Sequence, residues 1–563
     1  MAAPAPSSSS SKRSGVRLPL SRAWLALLIV VAVFVGVDNM ARPLANPDEG
    51  RYSEISREMA SSGDWVTPRL DGIKYFEKPP LQYWASALSF RLFGESEYSA
   101  RLYIALAGLA TILLVSWLGR RLFGADTALA ATLALLCSPY FMALGGIVTL
   151  DMGLTLWTTF TTCAFLLAEH AHAARRPVAA CNWMLTAWLG MALAMLSKGL
   201  IGIVFSGAAV FFHVVLSRDL SVLRRMRWLA GLAIFAAVAA PWFLLVSRAN
   251  PEFARFFFIH EHFERFLTHE HRRVEPWWFF IPIVFAAFLP WAFALPGAVR
   301  QAWRAERGVE QQPLRVAVVW AGFIVLFFSA SGSKLPAYIL PAVPLLAMPV
   351  GRYLAQAPVG LLARYAAFSV PLGLVLFVAA YLAPGSSHEP WVQELNRAAQ
   401  PFAYAAAACF TAGALAAAWL LRAGRRWTAL TAVALASVLM VGALIEGYRV
   451  FSPRQSDRDA ARLMAPYVKP ATRLYSVKIY DQSLPFYLGR TLRLVDYGDE
   501  FETGIKSEPG INIERLEDFP ADWLRPGDAV AIIQPGTFEE LQRQALPMEV
   551  IHQDPKRVLV RKP

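Results

Sequence analysis

Cysteine and charge are both scarce in this sequence, and each shortage excludes a class of protein. The 563 residues include four cysteines, Cys137, Cys163, Cys181 and Cys409, all in or beside apolar runs and without CxxC spacing. Neither a zinc site nor a disulfide framework is indicated. Only 17% of the residues are charged while 56% are hydrophobic, too apolar for a soluble protein with two or three cores. The composition predicts a polytopic membrane protein.

The excess of basic residues has a distinctive distribution. The formal net charge is +13 at pH 7, but the arginines concentrate in short loops between hydrophobic runs. That distribution is a signal for membrane insertion. We therefore expect no nucleic-acid partner.

Apolar runs long enough to cross a hydrocarbon core of about 30 Å recur along the chain. They predict about thirteen transmembrane helices, near residues 22–41, 101–119, 126–143, 150–168, 182–197, 199–217, 228–247, 277–299, 314–331, 336–356, 363–383, 401–421 and 427–446. The first run is too long for the apolar part of a signal peptide and lacks a clear cleavage site, so we interpret it as a retained helix.

The arginine-rich loops alternate along the chain and share a side with the basic N-terminal tail, residues 1–21. The positive-inside rule places that side in the cytoplasm. The predicted transmembrane domain, residues 22–446, then has two long loops on the outer face, 42–100 and 248–276. An odd number of spans places residues 447–563, the C-terminal domain, on the same outer face. There, β-rich runs such as "TRLYSVK" and "AVAIIQP" and the helical "PGTFEELQRQAL" predict a soluble α/β domain.

The stretch "NPDEGRYSE", at the start of the first outer loop, places two carboxylates side by side. Asn46 as N-cap, Pro47 at the first helical position and Glu49 at the third form a capping-box arrangement. The apolar spacing that follows predicts an amphipathic helix along the membrane surface, and "LQYWASALSFRLFG" predicts a second one. Because the box needs only Glu49, Asp48 is the candidate for chemistry. A favourable interaction with the positive helix end is its alternative role.

Three outward-facing lysines and one acid form a second set of candidates. Lys78 follows Glu77 and precedes a Pro-Pro pair. A lysine held at a rigid turn above a membrane is a suitable phosphate ligand, with snorkelling to headgroups as the alternative. Lys198 and Lys334 lie in other short outer connections, where each can also serve topology or a helix dipole. Asp151 begins an apolar span, where a truly intramembrane carboxylate costs about 2–3 kcal/mol, so it is either functional or an interfacial acid.

The segment "IHEHFERFLTHEHRR" contains four of the nine histidines. It has no HExxH, and HxH spacing puts two rings on opposite sides of a helix. The alternatives are a metal site and a solvated interfacial helix that offers Arg265 to phosphate. A divalent metal ion, if one binds, is expected at Glu77 and His260, where it would bridge carboxylate and phosphate.

The segment from "NPDEGRYSE" through "DGIKYFEKPPLQYW", followed by the outer-face Asp151, resembles the GT-C superfamily of lipid-linked glycosyltransferases. The similarity is closest to the lipid A 4-amino-4-deoxy-L-arabinose transferase family and extends to "KIYDQSLPFYLGRTLRLV". The resemblance implies transfer of aminoarabinose from undecaprenyl phosphate to lipid A phosphates on the periplasmic face of the bacterial inner membrane. This reaction gives resistance to polymyxin and other cationic peptides. It needs no nucleotide cofactor, since none is supplied outside the membrane.

The resemblance also implies roles for the candidate residues. Asp48 is the expected base or acceptor-orienting acid, with Asp151 as its partner and Glu49 beside it. The expected ligands of substrate and leaving phosphate are cations and a hydroxyl of the outer face, namely Arg51, Lys78, Lys198, Arg265, Lys334 and Tyr338. A phosphate acceptor has its second pKa near ~6 and needs little deprotonation, so Asp48 would orient a metal, the sugar amine or the lipid A sugar. A protein hydroxyl acceptor would require a base.

Two other functions fit parts of the sequence. A GT-C transferase of another polyprenyl-phosphate sugar, moving galacturonic acid to lipopolysaccharide or mannose to protein, would share the acidic first loop. A lipid transporter would also have many spans, but transporters usually carry ionisable residues near the midplane and paired repeats, whereas the candidates here gather at one face.

We expect a monomer whose partners are the donor lipid, lipid A and the surrounding membrane lipids.

Overall fold

A computed structural model describes residues 22–264, 275–306 and 312–563, without the side chains of residues 22–24, 260 and 262–264. Within these residues nine helices are long and apolar enough to cross a membrane: Glu97–Phe123, Leu150–Ala173, Pro177–Lys198, Leu200–Ser217, Trp228–Ala249, Pro313–Ala330, Val359–Ser386, Pro390–Arg422 and Arg426–Arg449. The predicted class, a polytopic helical membrane protein, is confirmed.

Four further apolar segments correspond to the other predicted spans. They are the helices Arg22–Met40, Ala125–Cys137 and Ala342–Gln356, and the pair Phe280–Ala287 and Trp291–Ala305. The pair was predicted as one transmembrane helix near residues 277–299, and it is bent by 103°. Pro290 lies at the break, where proline has no N–H to continue the helical hydrogen bonds. If the pair crosses as one span, ten spans are present among the described residues, so the number thirteen stays a prediction.

One helix forms the centre of the membrane bundle. In Leu150–Ala173, 89% of the apolar window is buried inside the protein, the largest share among the described spans. Four of its five threonines donate to carbonyls one turn earlier, as Thr158 does to Leu154 at 2.7 Å, whereas the hydroxyl of Thr159 has no partner among the described residues. The helix begins one residue before Asp151, which places that acid at the end of the bundle near the first long loop.

The first long loop folds into two helices, Asp48–Ser62 and Leu81–Phe93, joined through a hairpin of Arg69–Leu70 and Ile73–Lys74. Both predicted helices are therefore present. The first of them, which we term the loop helix, was expected to keep a polar face in water. Instead ten of its residues between Glu49 and Met59 are buried, because the loop helix packs against Leu81–Phe93 and against the C-terminal domain.

The second long loop contains a π-helix, Phe256–Glu264, before the chain leaves the described residues. Short helices complete the connections between the spans, at Pro139–Leu144, Ser221–Arg225 and Phe253–Arg255.

The C-terminal domain is built on a five-stranded sheet. The order across the sheet is Arg493–Val495, Arg473–Val477, Ala529–Ile533, Val558–Arg561 and Glu549–Gln553. The first three strands are parallel and the last two pair antiparallel, so the sheet is mixed. The principal helices are Arg458–Met464, Leu484–Leu488, Glu502–Ser507, Phe519–Trp523 and Pro535–Arg543. The predicted α/β domain is confirmed.

Candidate active site

Glu49 lies in a buried network of ion pairs at the start of the loop helix. Arg42 donates to its two oxygens at 2.8 and 2.9 Å, and Arg101 donates at 2.9 and 3.0 Å. The backbone N–H groups of Ala45 and Val148 also donate, each at 3.0 Å. Burial alone would raise the pKa of Glu49, but the two arginines lower it to about 2. A carboxylate with so many donors joins three segments of the chain, and this geometry favours a structural role.

The predicted capping box is wrong in its details. The loop helix begins at Asp48, and Pro47 precedes it without any side-chain cap. Glu49 accepts from the N–H of Ala45, one residue before the expected cap. The side chain of Asn46 is hydrogen-bonded to the C-terminal domain instead. A tertiary contact has therefore replaced the local one.

Asp48 has a different environment from its neighbour. Its side chain is 40% exposed, and its Oδ1 accepts from Nη1 of Arg51 at 3.0 Å. Nε of Arg51 lies 2.5 Å from Oε2 of Glu500 in the C-terminal domain. Burial raises the pKa of Glu500 above its ordinary value. Arg51 thus connects an accessible carboxylate of the first loop with a buried one of the C-terminal domain.

Three buried tyrosines, Tyr52, Tyr75 and Tyr83, lie beside this pair. Burial, reinforced by nearby carboxylates, raises the pKa of each well above its ordinary value, so all three keep their protons at neutral pH. Glu77 contributes to the shift in all three, which places it in the same cluster. The hydroxyls of Tyr75 and Tyr83 are buried and have no hydrogen-bond partner among the described residues. An unsatisfied buried hydroxyl costs about 1–3 kcal/mol, so these two are candidates to bind a polar ligand.

Lys78 joins the two outer loops. Its Nζ donates to Oε2 of Glu261 at 2.8 Å and to the backbone oxygen of Glu77 at 2.9 Å, and it lies 3.7 Å from the Glu77 carboxylate. The lysine side chain is only 14% exposed. This pairing argues against snorkelling, in which the ammonium would extend to the headgroups.

Asp151 and Lys198 form an ion pair, with 2.5 Å between Oδ1 and Nζ. The same Nζ lies 4.9 Å from the ring centroid of Tyr338, a cation–π contact. Lys334 is buried and donates to the backbone oxygen of Ser331 at 2.8 Å. The three lysines therefore have separate partners in the described part of the chain.

The expected partnership of Asp48 with Asp151 is indirect. In the described ranges no hydrogen bond or ion pair joins the two acids, and Asp48 is paired with Arg51. They are linked through Glu49, which binds the N–H of Val148, three residues before Asp151.

Two predicted ligands cannot be placed in this site. Arg265 lies outside the described residues, and so does the side chain of His260. Among the residues that are described, no group of three or more His, Cys, Asp or Glu side chains is arranged to hold a metal ion. Glu77, the other expected ligand, lies beside the ammonium of Lys78. The metal site stays a prediction.

Sequence reasoning did not find the two candidate ligand-binding tyrosines, Tyr75 and Tyr83, or the residues that pair with the predicted candidates, namely Arg42, Arg101, Glu261 and Glu500. One signal was available. Arg42 and Arg101 lie at the outer ends of apolar runs, where the positive-inside rule does not expect basic residues. An arginine in that position indicates a specific buried partner, and Glu49 is that partner.

The membrane bundle, the loop site and the sheet domain over it define a class, the integral-membrane glycosyltransferases. Residues 20–257 match the family of dolichyl-phosphate-mannose-protein mannosyltransferases, and residues 460–562 match the aminoarabinose transferase C-terminal domain. The crystal structure of ArnT from Cupriavidus metallidurans bound to undecaprenyl phosphate is similar with a TM-score of 0.90 at 34% identity, over 96% of this chain and 98% of that one.

Curated relatives agree with the structural comparison. The undecaprenyl phosphate-alpha-4-amino-4-deoxy-L-arabinose arabinosyl transferase of Edwardsiella ictaluri is 36% identical over 340 residues, and the alignment spans 59% of each chain, less than two thirds of that relative. The enzyme of the same name from Erwinia tasmaniensis is 32% identical over 442 residues, 76% of this chain and 77% of that protein. The chain belongs to the aminoarabinose transferase family, so the resemblance seen in the sequence is confirmed.

Proposed function

We propose that this chain transfers 4-amino-4-deoxy-L-arabinose from undecaprenyl phosphate to phosphate groups of lipid A. The supporting observation is the cluster of an accessible carboxylate, a partly buried lysine and two tyrosine hydroxyls without partners among the described residues, all in the first loop. The relative with a TM-score of 0.90 was crystallised with undecaprenyl phosphate, which supports a donor of that class. Masking lipid A phosphates with an amino sugar is expected to give resistance to polymyxin and other cationic peptides.

The proposed location is the periplasmic face of the inner membrane. The arginine-rich loops favour a cytoplasmic N-terminus, which puts the first loop and the C-terminal domain outside. Nucleotide sugars are absent there, so a donor sugar has to arrive on a lipid phosphate.

On the donor side, we assign Lys78 to the leaving phosphate. A lysine in a partly buried site forms strong charge-assisted hydrogen bonds with phosphate oxygens. Arg265, Lys334 and Tyr338 remain proposed contributors to the same phosphate. Lys198 is assigned a supporting role, because its ammonium already neutralises Asp151 at 2.5 Å.

The proposed reaction is a displacement at the anomeric carbon. An oxygen of the acceptor phosphate attacks that carbon, the bond from the carbon to the donor phosphate oxygen breaks, and undecaprenyl phosphate leaves with the electron pair. No proton has to move, since an acceptor phosphate with its second pKa near about 6 is already ionised. Positive charge develops on the sugar ring, and we assign the Asp48 carboxylate to stabilise that charge and orient the sugar amine. Tyr75 and Tyr83 are assigned to the sugar hydroxyls.

The test is transfer by the purified chain in liposomes that contain undecaprenyl-phosphate aminoarabinose and lipid A, followed by mass spectrometry of lipid A. We expect aminoarabinose-modified lipid A with the wild type and none with Asp48→Asn. Asp459→Asn is a matched control, because Asp459 is an exposed acid of the C-terminal domain, and it should retain activity.

A donor panel distinguishes the second candidate. Residues 20–257 match the mannosyltransferase family, so mannosyl and galacturonosyl polyprenyl phosphates are tested in parallel. Transfer from either of these without transfer of aminoarabinose would overturn the sugar assignment.

A further inference from the structure

The C-terminal domain holds the start of the loop helix through one asparagine. The N–H of Asn46 donates to the backbone oxygen of Gln455 at 2.7 Å, and its Nδ2 donates to Oδ2 of Asp457 at 2.6 Å. Its Oδ1 accepts from the N–H of Ser483 at 2.8 Å. All three partners belong to the C-terminal domain. Because Asn46 precedes Asp48 by two residues, these contacts fix the segment that carries the proposed catalytic carboxylate.

The same contact requires a glycine one turn further along the loop helix. A Cβ on Gly50 would lie 2.4 Å from the backbone nitrogen of Ser483 and 2.7 Å from its Cα. A backbone cannot rotate out of the way as the end of a flexible side chain can. The loop helix therefore lies directly against Ser483, with Asp48 in the turn between Asn46 and Gly50.

Asp457 is itself fixed from several directions. It is fully buried; Oγ of Ser483 donates to its Oδ2 at 2.7 Å, and Arg557 pairs with its Oδ1. Arg557 also pairs with Asp481 at 2.7 Å. Burial would raise the pKa of Asp457, but Arg557 and Lys556 outweigh burial and lower the pKa, so the group is ionised at neutral pH. These contacts hold the Asp457 carboxylate in one orientation, which fixes the position of the Asn46 side chain that donates to it.

We propose that Asn46, Gly50 and Asp457 are positioning residues through which the C-terminal domain sets the place of Asp48 against the donor sugar. The inference rests on the proposed function of Asp48. Misplacing a reacting group by an ångström can cost about 10²-fold in rate, which is the scale expected when this contact is lost. The C-terminal domain then contributes to catalysis although these residues do not touch the reacting atoms.

A charge exchange tests the contact between Asn46 and Asp457. Asn46→Asp places two carboxylates face to face, and Asp457→Asn removes the anionic acceptor. Each should lower kcat for transfer by about 10²-fold, while KM for the donor changes by less than about threefold, since neither residue contacts the donor. The double variant Asn46→Asp with Asp457→Asn restores a hydrogen bond with the roles exchanged, and its kcat should recover to within about tenfold of the wild type. Unchanged kcat in the single variants, or a double variant no better than either, would overturn the proposal.

A second pair of variants, measured by a method that needs no donor, distinguishes loss of positioning from loss of folding and from a wrong assignment of the donor sugar. Gly50→Ala should separate the loop helix from Ser483, whereas Gly536→Ala is a matched control because a Cβ there meets nothing within 4 Å. Hydrogen–deuterium exchange of amides 46–53 should speed up in Gly50→Ala and in each single charge variant, and should return to the wild-type rate in the double variant. Exchange does not depend on the sugar, so unaltered exchange refutes the positioning role even if the wild type proves inactive with aminoarabinose. An inactive wild type with the expected exchange pattern refutes the proposed function alone.

Discussion

Two neighbouring carboxylates of the loop helix have opposite surroundings, and surroundings decide what a carboxylate can do. Glu49 is buried between Arg42 and Arg101, whereas Asp48 is 40% exposed and has one arginine partner. Removing one member of a buried ion pair costs about 3–5 kcal/mol, because the remaining charges lose their compensation. Removing an exposed charge costs within about 0.5 kcal/mol.

We therefore expect Asp48→Asn to abolish transfer without loss of stability, and Glu49→Gln to retain a measurable fraction of transfer per folded molecule while lowering the melting temperature. The measurements are lipid A modification and thermal unfolding at matched amounts of folded protein. Equal loss of transfer in both variants, with equal melting temperatures, would contradict this division of roles.

The low pKa of Glu49 predicts a pH dependence of stability. Its folded value is about 2 and its ordinary value 4.5, so the network contributes stability that is fully present above pH 4.5 and is lost as pH falls through 2. The contribution is roughly 3 kcal/mol. The melting temperature of the wild type should exceed that of Glu49→Gln by a constant amount near neutral pH, and the difference should shrink below pH 4.5. A difference that grows on acidification would contradict the ion-pair assignment.

Lys78 predicts a defect specific to the donor. Losing one charge-assisted contact to a desolvated phosphate costs about 1.5–3 kcal/mol, or roughly 10–150-fold in kcat/KM for the donor. Lys78→Ala should show this loss in a liposome assay, while Lys506→Ala, an exposed lysine of the C-terminal domain, should not. Unchanged donor dependence would return Lys78 to a structural role as the partner of Glu261.

At the scale of elements, the two outer loops meet where a metal ion is expected. Glu77 lies beside Lys78, which pairs with Glu261 of the π-helix that also contains His260. If the ion binds there, chelation of the purified chain should lower transfer, added divalent metal should restore it, and His260→Ala should remove the response. His388→Ala, an exposed histidine of another connection, is the control. Full activity after exhaustive chelation, with no metal found by elemental analysis, would refute the metal site.

The elements also show how far a sequence can predict this structure. Apolar runs predicted the spans and β-rich runs predicted the α/β domain, because the hydrophobic pattern of a short segment indicates which of its residues are buried. The bend at Pro290 was missed, since an apolar run does not reveal whether its prolines kink or break a helix. The contact of the C-terminal domain with the loop helix was also missed, because Asp457 and Ser483 lie hundreds of residues away in the sequence.

In the candidate site, too, locally encoded features were predicted and contacts between distant segments were not. Asp151 was predicted because a charge in apolar surroundings is conspicuous, Asp48 because a capping box needs only one carboxylate, and Lys78 because it precedes a rigid Pro-Pro turn. Arg51 is a local partner of Asp48, three residues along the same helix, whereas Glu261 and Lys198 reach Lys78 and Asp151 through tertiary contacts that local sequence does not encode. Glu49 was separated from Asp48 on the ground of a capping box, which the structure replaces with a buried network, and the division of roles stays a prediction.

For the whole molecule, the proposed orientation can be measured directly. The first loop and the C-terminal domain contact each other through Arg69 and Glu508 at 2.9 Å, so they lie on one side of the membrane. Lys506 is 72% exposed on that side, and Ala174 is exposed in a predicted cytoplasmic loop.

In a variant without the four native cysteines, Lys506→Cys should react with a membrane-impermeant maleimide in cells whose outer membrane alone is permeabilised. Ala174→Cys should react only after the inner membrane is opened, because the positive-inside rule holds arginine-rich loops in the cytoplasm. Transfer activity of both variants serves as the control for native folding, since neither position touches the candidate site. Labelling of Ala174→Cys but not Lys506→Cys in intact inner membranes would invert the topology. It would also place the site where nucleotide sugars are available, removing the argument that the donor must be lipid-linked.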